Sequence, residues 1–168
     1  MKLLPYRKLE LYSPMPAATV AQVLGDSVEP TNWFRVGGGM RPFEGAVTPP
    51  TFEIRRVISY RNSFLPKIRG TITPDGAGSR ISITMRLPLA VAIFMTVWLG
   101  GACFGAFASA TVGVSDPVAL LPALIPIGML LFGSVLTLGA FSVEARKAES
   151  LLTFLLDGIQ RADATAPR

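Results

Sequence analysis

The sequence contains no histidine and a single cysteine, Cys103, and both shortages exclude whole classes of site. Without histidine, a Ser-His-Asp or Cys-His catalytic set cannot be built, and the commonest general base and pH-sensitive group is missing. A single cysteine cannot form a disulfide within the chain or a zinc cluster without histidine partners. The remaining polar residues show no spacing typical of a catalytic constellation. We therefore predict a protein that is not an enzyme, with no catalytic residues, no metal site and no cofactor.

Charged residues are also absent from two long stretches, residues 87–111 and 118–143. Since a helix rises about 1.5 Å per residue, each stretch is about 35–40 Å long as a helix. The hydrocarbon core of a bilayer is about 30 Å thick. Buried helices of a soluble protein are the alternative, but such helices rarely lack charge over this length. With only a short connection at residues 112–117, the sequence predicts an antiparallel transmembrane hairpin over residues 87–143.

The charges that flank the hairpin predict its orientation. Arg86 directly precedes the first stretch, Arg146 and Lys147 follow the second, and the connection carries the single acid Asp116. Basic residues are retained on the cytoplasmic side of a membrane. We expect both termini in the cytoplasm and the lipid bilayer as the main partner.

Small residues in the first stretch predict a surface for close helix packing. Gly101, Gly105 and Ser109 follow one another at four-residue spacing, which lets a second helix approach closely. That helix is either the other half of the hairpin or a second copy of the chain, in which case the protein is a homo-oligomer. In the second stretch, Pro122 and Pro126 either kink the helix or are tolerated in it because neighbouring groups satisfy the freed carbonyls.

The segment before the hairpin carries the excess of basic charge. Residues 1–86 hold twelve of the 16 Lys and Arg and six of the 11 Asp and Glu. The segment has no aromatic-basic platform or reading helix, so nucleic acid is not an expected partner.

Within this segment, residues 67–73 and 79–87 alternate apolar and polar side chains around a turn at residues 74–78. The pattern predicts an antiparallel pair with one apolar and one basic face. We interpret the basic face either as a contact for anionic lipid or as a solvated face that only obeys the positive-inside rule. Its four basic residues are Lys67, Arg69, Arg80 and Arg86.

The rest of the chain predicts short strands and two further helices. Strands are expected up to Ser13 and over residues 43–47 and 51–60, the last with a bulge or an edge position at Arg56. A helix is expected between Pro16 and Gly25. After the hairpin, an apolar stripe at helical spacing predicts an amphipathic helix over residues 144–162, followed by a flexible tail at 163–168.

The predicted fold class is α+β: a small antiparallel sheet packed by helices, with an inserted two-helix transmembrane hairpin. The apolar faces of the sheet and of the last helix both need cover, so we expect residues 1–86 and 144–162 to form one discontinuous cytoplasmic domain.

Several short runs carry a resemblance. Phe43-Glu44-Gly45, Phe52-Glu53-Ile54, the run from Tyr60 to Pro66 and Ile68-Arg69-Gly70 resemble a group of uncharacterised small bacterial membrane proteins. The resemblance covers most of the chain and implies a bacterial inner membrane, a short β-rich domain and two spans. The order of elements also resembles a trimmed helix-grip fold, whose larger members hold apolar ligands; an analogy of fold does not establish function.

Three functions are consistent with these features. The first is a non-enzymatic membrane protein whose cytoplasmic domain binds a protein partner or senses the membrane surface. The second is an oligomeric pore or membrane effector, for which the small-residue stripe and the two prolines argue. The third is binding of lipid or an apolar small molecule, between the sheet and the C-terminal helix or on the basic face.

Overall fold

The computed structural model describes residues 5–31, 39–60, 62–113, 121–157 and 159–160. Statements about the structure concern these residues; the predicted tail at 163–168 and most of the connection between the two apolar stretches lie outside them. The elements in chain order are β1 (Tyr6–Ser13), α1 (Ala17–Asp26), β2 (Val28–Glu29), β3 (Phe43–Thr48), β4 (Thr51–Arg56), β5 (Lys67–Asp75), β6 (Gly78–Arg86), α2 (Leu89–Gly113), α3 (Leu124–Leu155) and β7 (Ile159–Gln160).

The described strands form one sheet in the order β2-β3-β4-β5-β6-β1-β7. The α+β class, with a small sheet packed by helices, is confirmed. Every pairing is antiparallel except that of β2 with β3, which is parallel and makes the sheet mixed. The strongest sequence alternation belongs to β5 and β6, which pair along their whole length and leave only Gly76 and Ala77 in the turn.

One face of the sheet is buried and carries the core. Leu9, Leu11, Ile68, Ile81 and Ile83 project from this core face and are at most 3% exposed. Two helices cover it: α1 with Val20 and Leu24, and the end of α3. The residues that α3 contributes to the same cluster are Phe141, Ala145, Ala148, Leu152 and Leu156. Since both helices pack on this face, the opposite face, which we call the outer face, is the polar one.

Helix α3 runs unbroken from the apolar stretch into the core. Its 32 residues span about 48 Å, whereas about 20 residues suffice to cross a hydrocarbon core. The part from Leu124 to Val143 therefore has the length of a span, and the part from Glu144 onward packs on the sheet. A single helix supplies both a membrane-length segment and a wall of the core.

The end of α3 corrects the predicted C-terminal helix, which was expected to reach residue 162. The helix ends at Leu155, since Asp157 adopts a φ of 45° and cannot continue a right-handed helix. Ile159 and Gln160 then pair with Tyr12 and Leu11 of β1. This pairing gives hydrogen-bond partners to backbone groups at the edge of β1 and in the segment that follows α3.

Strand β4 is shorter than predicted. It ends at Arg56, where a bulge or an edge position was expected within a strand reaching residue 60. Val57 donates a backbone hydrogen bond to the Pro42 carbonyl at 2.9 Å, and the chain then bends at Ser59 and Tyr60. The bend directs Tyr60 towards α3, so Arg56 marks the end of pairing and not an irregularity within it.

The two apolar stretches form two helices that are long and apolar enough to cross a membrane, Leu89–Thr111 and Leu121–Leu155. Only 11% and 17% of their most apolar windows are buried, which is unlike a core helix of a soluble protein. Neither proline lies in the middle of α3, where it would break the helix: Pro122 is in the short 3-10 turn at residues 121–123 that leads into α3, and Pro126 is in the first turn of α3. Backbone donors of a first turn have no partner within the helix, so proline is tolerated there.

Candidate functional site at the helix–sheet junction

The first charged residue after the apolar part of α3, Glu144, is buried at the junction with the sheet. Its side chain is 3% exposed. Arg56, at the end of β4, places Nη2 3.0 Å from Oε2 of Glu144. The hydroxyl of Tyr60 donates a hydrogen bond to Oε1, and Lys147, one turn further along α3, has its ammonium 3.5 Å from Oε1. We call these four residues the junction cluster.

In the junction cluster, the positive charges outnumber the negative charge of the buried carboxylate. Arg56 and Lys147 together carry two positive charges against the single negative charge of Glu144. Although Arg56 is at ion-pair distance, Oε2 receives no hydrogen bond of good geometry among the described residues. Tyr60 and the Lys147 side chain are about half exposed, at 48% and 50%, so one side of the cluster is open. The arrangement can fix α3 against the sheet and attract an anion from that open side.

A second ion pair holds the same helix on the core face, at a strand nearer the opposite edge of the sheet. Arg7 of β1 places Nη2 2.6 Å from Oε2 of Glu149, which is 9% exposed. Glu144 and Glu149 thus both contact basic residues of the sheet, one from β4 and one from β1. Because a buried carboxylate is costly without a positive partner, the two ion pairs together favour one position of α3 on the sheet.

The four predicted lipid contacts all lie on the outer face, but the structure does not bring all of them together. Lys67 and Arg69 both bind Glu53 of β4. The hydrogen bond from Lys67 and that from Arg69 hold the pKa of Glu53 below its usual value. Arg86 lies beside Lys67 in the register of β5 and β6, and its guanidinium is 5.2 Å from the ring centroid of Tyr6.

Arg80 lies at the far end of the outer face. It is six positions before Arg86 on β6, and at about 3.3 Å per residue the two are about 20 Å apart. Arg80 binds Asp75 at 2.7 Å, which raises the pKa of the guanidinium. If the apolar helices are in a membrane, Arg80 is therefore beyond the reach of its surface charge, which decays over about 10 Å. Of the four, Lys67 and Arg86 lie nearest the hairpin, and Arg69 lies two residues, about 7 Å, further along β5.

The small-residue stripe of α2 is divided between two environments. A Cβ added to Gly105 would lie 3.4 Å from Cβ of Pro126, so this glycine faces the other helix. A Cβ added to Gly101 would meet nothing within 4 Å. Ser109 donates its hydroxyl to the carbonyl of Gly105 at 2.9 Å, within its own helix. Contact within the hairpin thus uses Gly105 but not Gly101.

The sequence interpretation missed the tighter contact between these helices. A Cβ added to Gly133 of α3 would lie 3.2 Å from Cδ2 of Leu99 and 3.5 Å from Nε1 of Trp98. Thr137, four residues on and 6% exposed, donates to the Gly133 carbonyl at 2.7 Å. The small pair Gly133 and Thr137 at four-residue spacing was a usable sequence indication of this contact.

The junction cluster was also missed, for a different reason. Glu144 is recognisable in the sequence as the first acid after an apolar stretch, but two of its three partners, Arg56 and Tyr60, are remote: Tyr60 is 84 residues away in the chain. Nothing in the sequence around Glu144 indicates burial. The one indication elsewhere in the chain was the basic Arg56, which interrupts the alternation of its strand.

Comparison with known proteins assigns nothing to this arrangement. The chain matches no protein-family model, no curated protein and no solved structure. Within the described ranges, no group of three or more Cys, Asp or Glu side chains is placed to hold a metal ion.

Proposed function

We propose that the protein is a two-span integral protein of a bacterial inner membrane, with both termini in the cytoplasm. The observation that carries this proposal is the continuity of α3, which passes without a break from a membrane-length apolar segment into the sheet core. Large apolar side chains on the hairpin are exposed on several sides, among them Val97 at 70%, Phe104 at 73% and Val135 at 71%. Water would make such a surface costly, whereas lipid solvates it. On this proposal, residues 1–86 and the end of α3 form one cytoplasmic domain.

We further propose that this domain is a non-enzymatic module that binds a protein partner on its outer face, at the membrane surface. Both described helices that cover the sheet lie on the core face, so neither of them covers the outer face. It contains a depression of about 480 Å³ at its centre, between the hydroxyls of Thr71 and Ser82 and the ion pair of Glu53 with Arg69. Fixed charges of both signs beside hydroxyl groups can pair with complementary polar groups of another protein, and such pairing fixes the orientation in which the partner binds.

Native mass spectrometry of the full chain, released gently from its own membrane, tests the partner. We expect the chain to retain a second protein, and Thr71→Arg to remove that mass because the new side chain fills the depression. Ser150→Arg adds the same side chain on the exposed side of α3 and serves as the matched control, which should retain the partner.

Two results would contradict the partner proposal. Release of the chain without any second protein would contradict the proposal that it has a protein partner. Equal retention in the Thr71→Arg and Ser150→Arg variants would show that the partner binds elsewhere than the outer face.

A further inference from the structure

An apolar groove lies between the two hairpin helices at the end nearest the sheet. Its volume is about 520 Å³. The side chains that line it are Val91, Phe94 and Trp98 of α2, Phe132 and Leu136 of α3, and Phe64 from the segment before β5. Phe94, Phe132 and Leu136 remain 41–68% exposed within it, so nothing in the described chain fills the groove.

The groove lies at the depth of one leaflet. Val91 is in the first turn of α2, and Trp98 is nine residues from the start of that helix, about 14 Å along its axis. On α3, Leu136 is eight residues, or about 12 Å, before Glu144. The groove therefore occupies the half of the hairpin next to the sheet, which is the cytoplasmic leaflet under the proposed orientation.

A positive group stands at the same face of α3, where a lipid headgroup would lie. Lys147 follows Leu136 by eleven residues, which at about 100° per residue returns it to within about 20° of the same face, about 16 Å further along. The 16 Å offset is comparable to the separation of mid-chain and phosphate in a phospholipid. Because Glu144 is already engaged by Arg56 and Tyr60, the half-exposed ammonium of Lys147 is the surplus charge of the junction cluster.

We propose that this groove is a binding site for one anionic phospholipid, with an acyl chain between Trp98 and Phe132 and the phosphate on Lys147. The proposal rests on the proposed membrane insertion. The groove selects for an apolar chain, and the net positive junction cluster selects for a headgroup without a compensating amine. A base near anionic lipid contributes about 1 kcal/mol, which corresponds to a preference of about fivefold over zwitterionic lipid.

Quenching of Trp98 fluorescence by brominated acyl chains tests the site directly. The chain has two tryptophans, so Trp33→Phe leaves Trp98 as the reporter. The full-length protein is reconstituted in vesicles that contain increasing fractions of brominated phosphatidylglycerol or brominated phosphatidylcholine. We expect half-maximal quenching at a roughly fivefold lower fraction of the anionic lipid.

Two further variants separate a site from general attraction to the membrane. Lys147→Gln should make the two lipids equally effective, while Arg146→Gln, which removes the same charge at nearly the same depth from a neighbouring face, should keep the preference. Equal quenching by both lipids in the parent protein, or a preference that survives Lys147→Gln, would overturn the lipid site while leaving membrane insertion intact. Absence of quenching by either lipid would show that Trp98 is outside the bilayer, and would overturn the proposed membrane insertion as well.

Discussion

Replacing Glu144 with alanine is expected to lower the free energy of unfolding by about 3 kcal/mol, near the lower end for a broken buried ion pair. The substitution leaves the Arg56 guanidinium, whose side chain is only 15% exposed, without the carboxylate that compensates for its desolvation. It also removes the acceptor of the Tyr60 hydroxyl. Urea unfolding of the protein in one mild detergent, followed by circular dichroism, measures the difference.

A double-mutant cycle shows whether the loss comes from the pair. Arg56→Met alone should also be destabilising, because it leaves Lys147 at 3.5 Å as the only cation that the described residues place on the buried carboxylate of Glu144. The cycle compares Arg56→Met, Glu144→Leu and the double variant that carries both. The double variant should recover most of the loss that each single substitution causes, since replacing both members of a buried pair with apolar groups is often neutral. Additive losses in the double variant would contradict a direct interaction between the two residues.

Gly45→Ala is expected to be at least as harmful, with a loss of about 3 kcal/mol or more. Gly45 lies within β3 at a φ of 140°, a conformation that L side chains rarely adopt. An added Cβ would lie 2.2 Å from the carbonyl oxygen of Glu53 on the neighbouring strand. Because that atom belongs to the paired backbone, it cannot move away without opening the ladder between β3 and β4.

The matched control is Gly25→Ala, near the end of α1, where an added Cβ would meet nothing within 4 Å. Alanine favours a helix over glycine by up to about 1 kcal/mol, so this variant should be neutral or slightly more stable. The same urea experiment compares both variants. A Gly45→Ala protein as stable as the Gly25→Ala protein would show that β3 does not pair with β4 through Gly45 as described.

Those parts of the fold that depend on local patterns could be predicted from the sequence. The alternation in β5 and β6 placed Ile81, Ile83 and Met85 on the core face, where each is fully buried. The two charge-free stretches became α2 and the first part of α3. In each case the pattern repeats over several residues, so a single exception does not change the interpretation.

What could not be predicted depends on contacts between distant segments. Glu53 binds both Lys67 and Arg69, and its negative charge reduces the net positive charge of the face that the sequence predicts to be basic. The burial of Glu144 follows from the bend after β4, and the end of α3 from the edge of β1. Each of these contacts joins two segments that are too far apart in the chain for one periodic pattern to cover both. Only the assembled sheet therefore reveals them.

The most direct test of the proposed membrane topology is to find on which side of the membrane three engineered cysteines lie. In a Cys103→Ala background, the variants are Ala77→Cys in the turn between β5 and β6, Ser150→Cys on the exposed side of α3, and Asp116→Cys in the connection. Each is exposed to a maleimide that cannot cross membranes, first in intact spheroplasts and then after permeabilisation. We expect Asp116→Cys to react in intact spheroplasts, and Ala77→Cys and Ser150→Cys to react only once the membrane is opened. Reaction of all three variants in intact spheroplasts, or opposite sidedness of Ala77→Cys and Ser150→Cys, would contradict a cytoplasmic sheet joined to a membrane hairpin through α3.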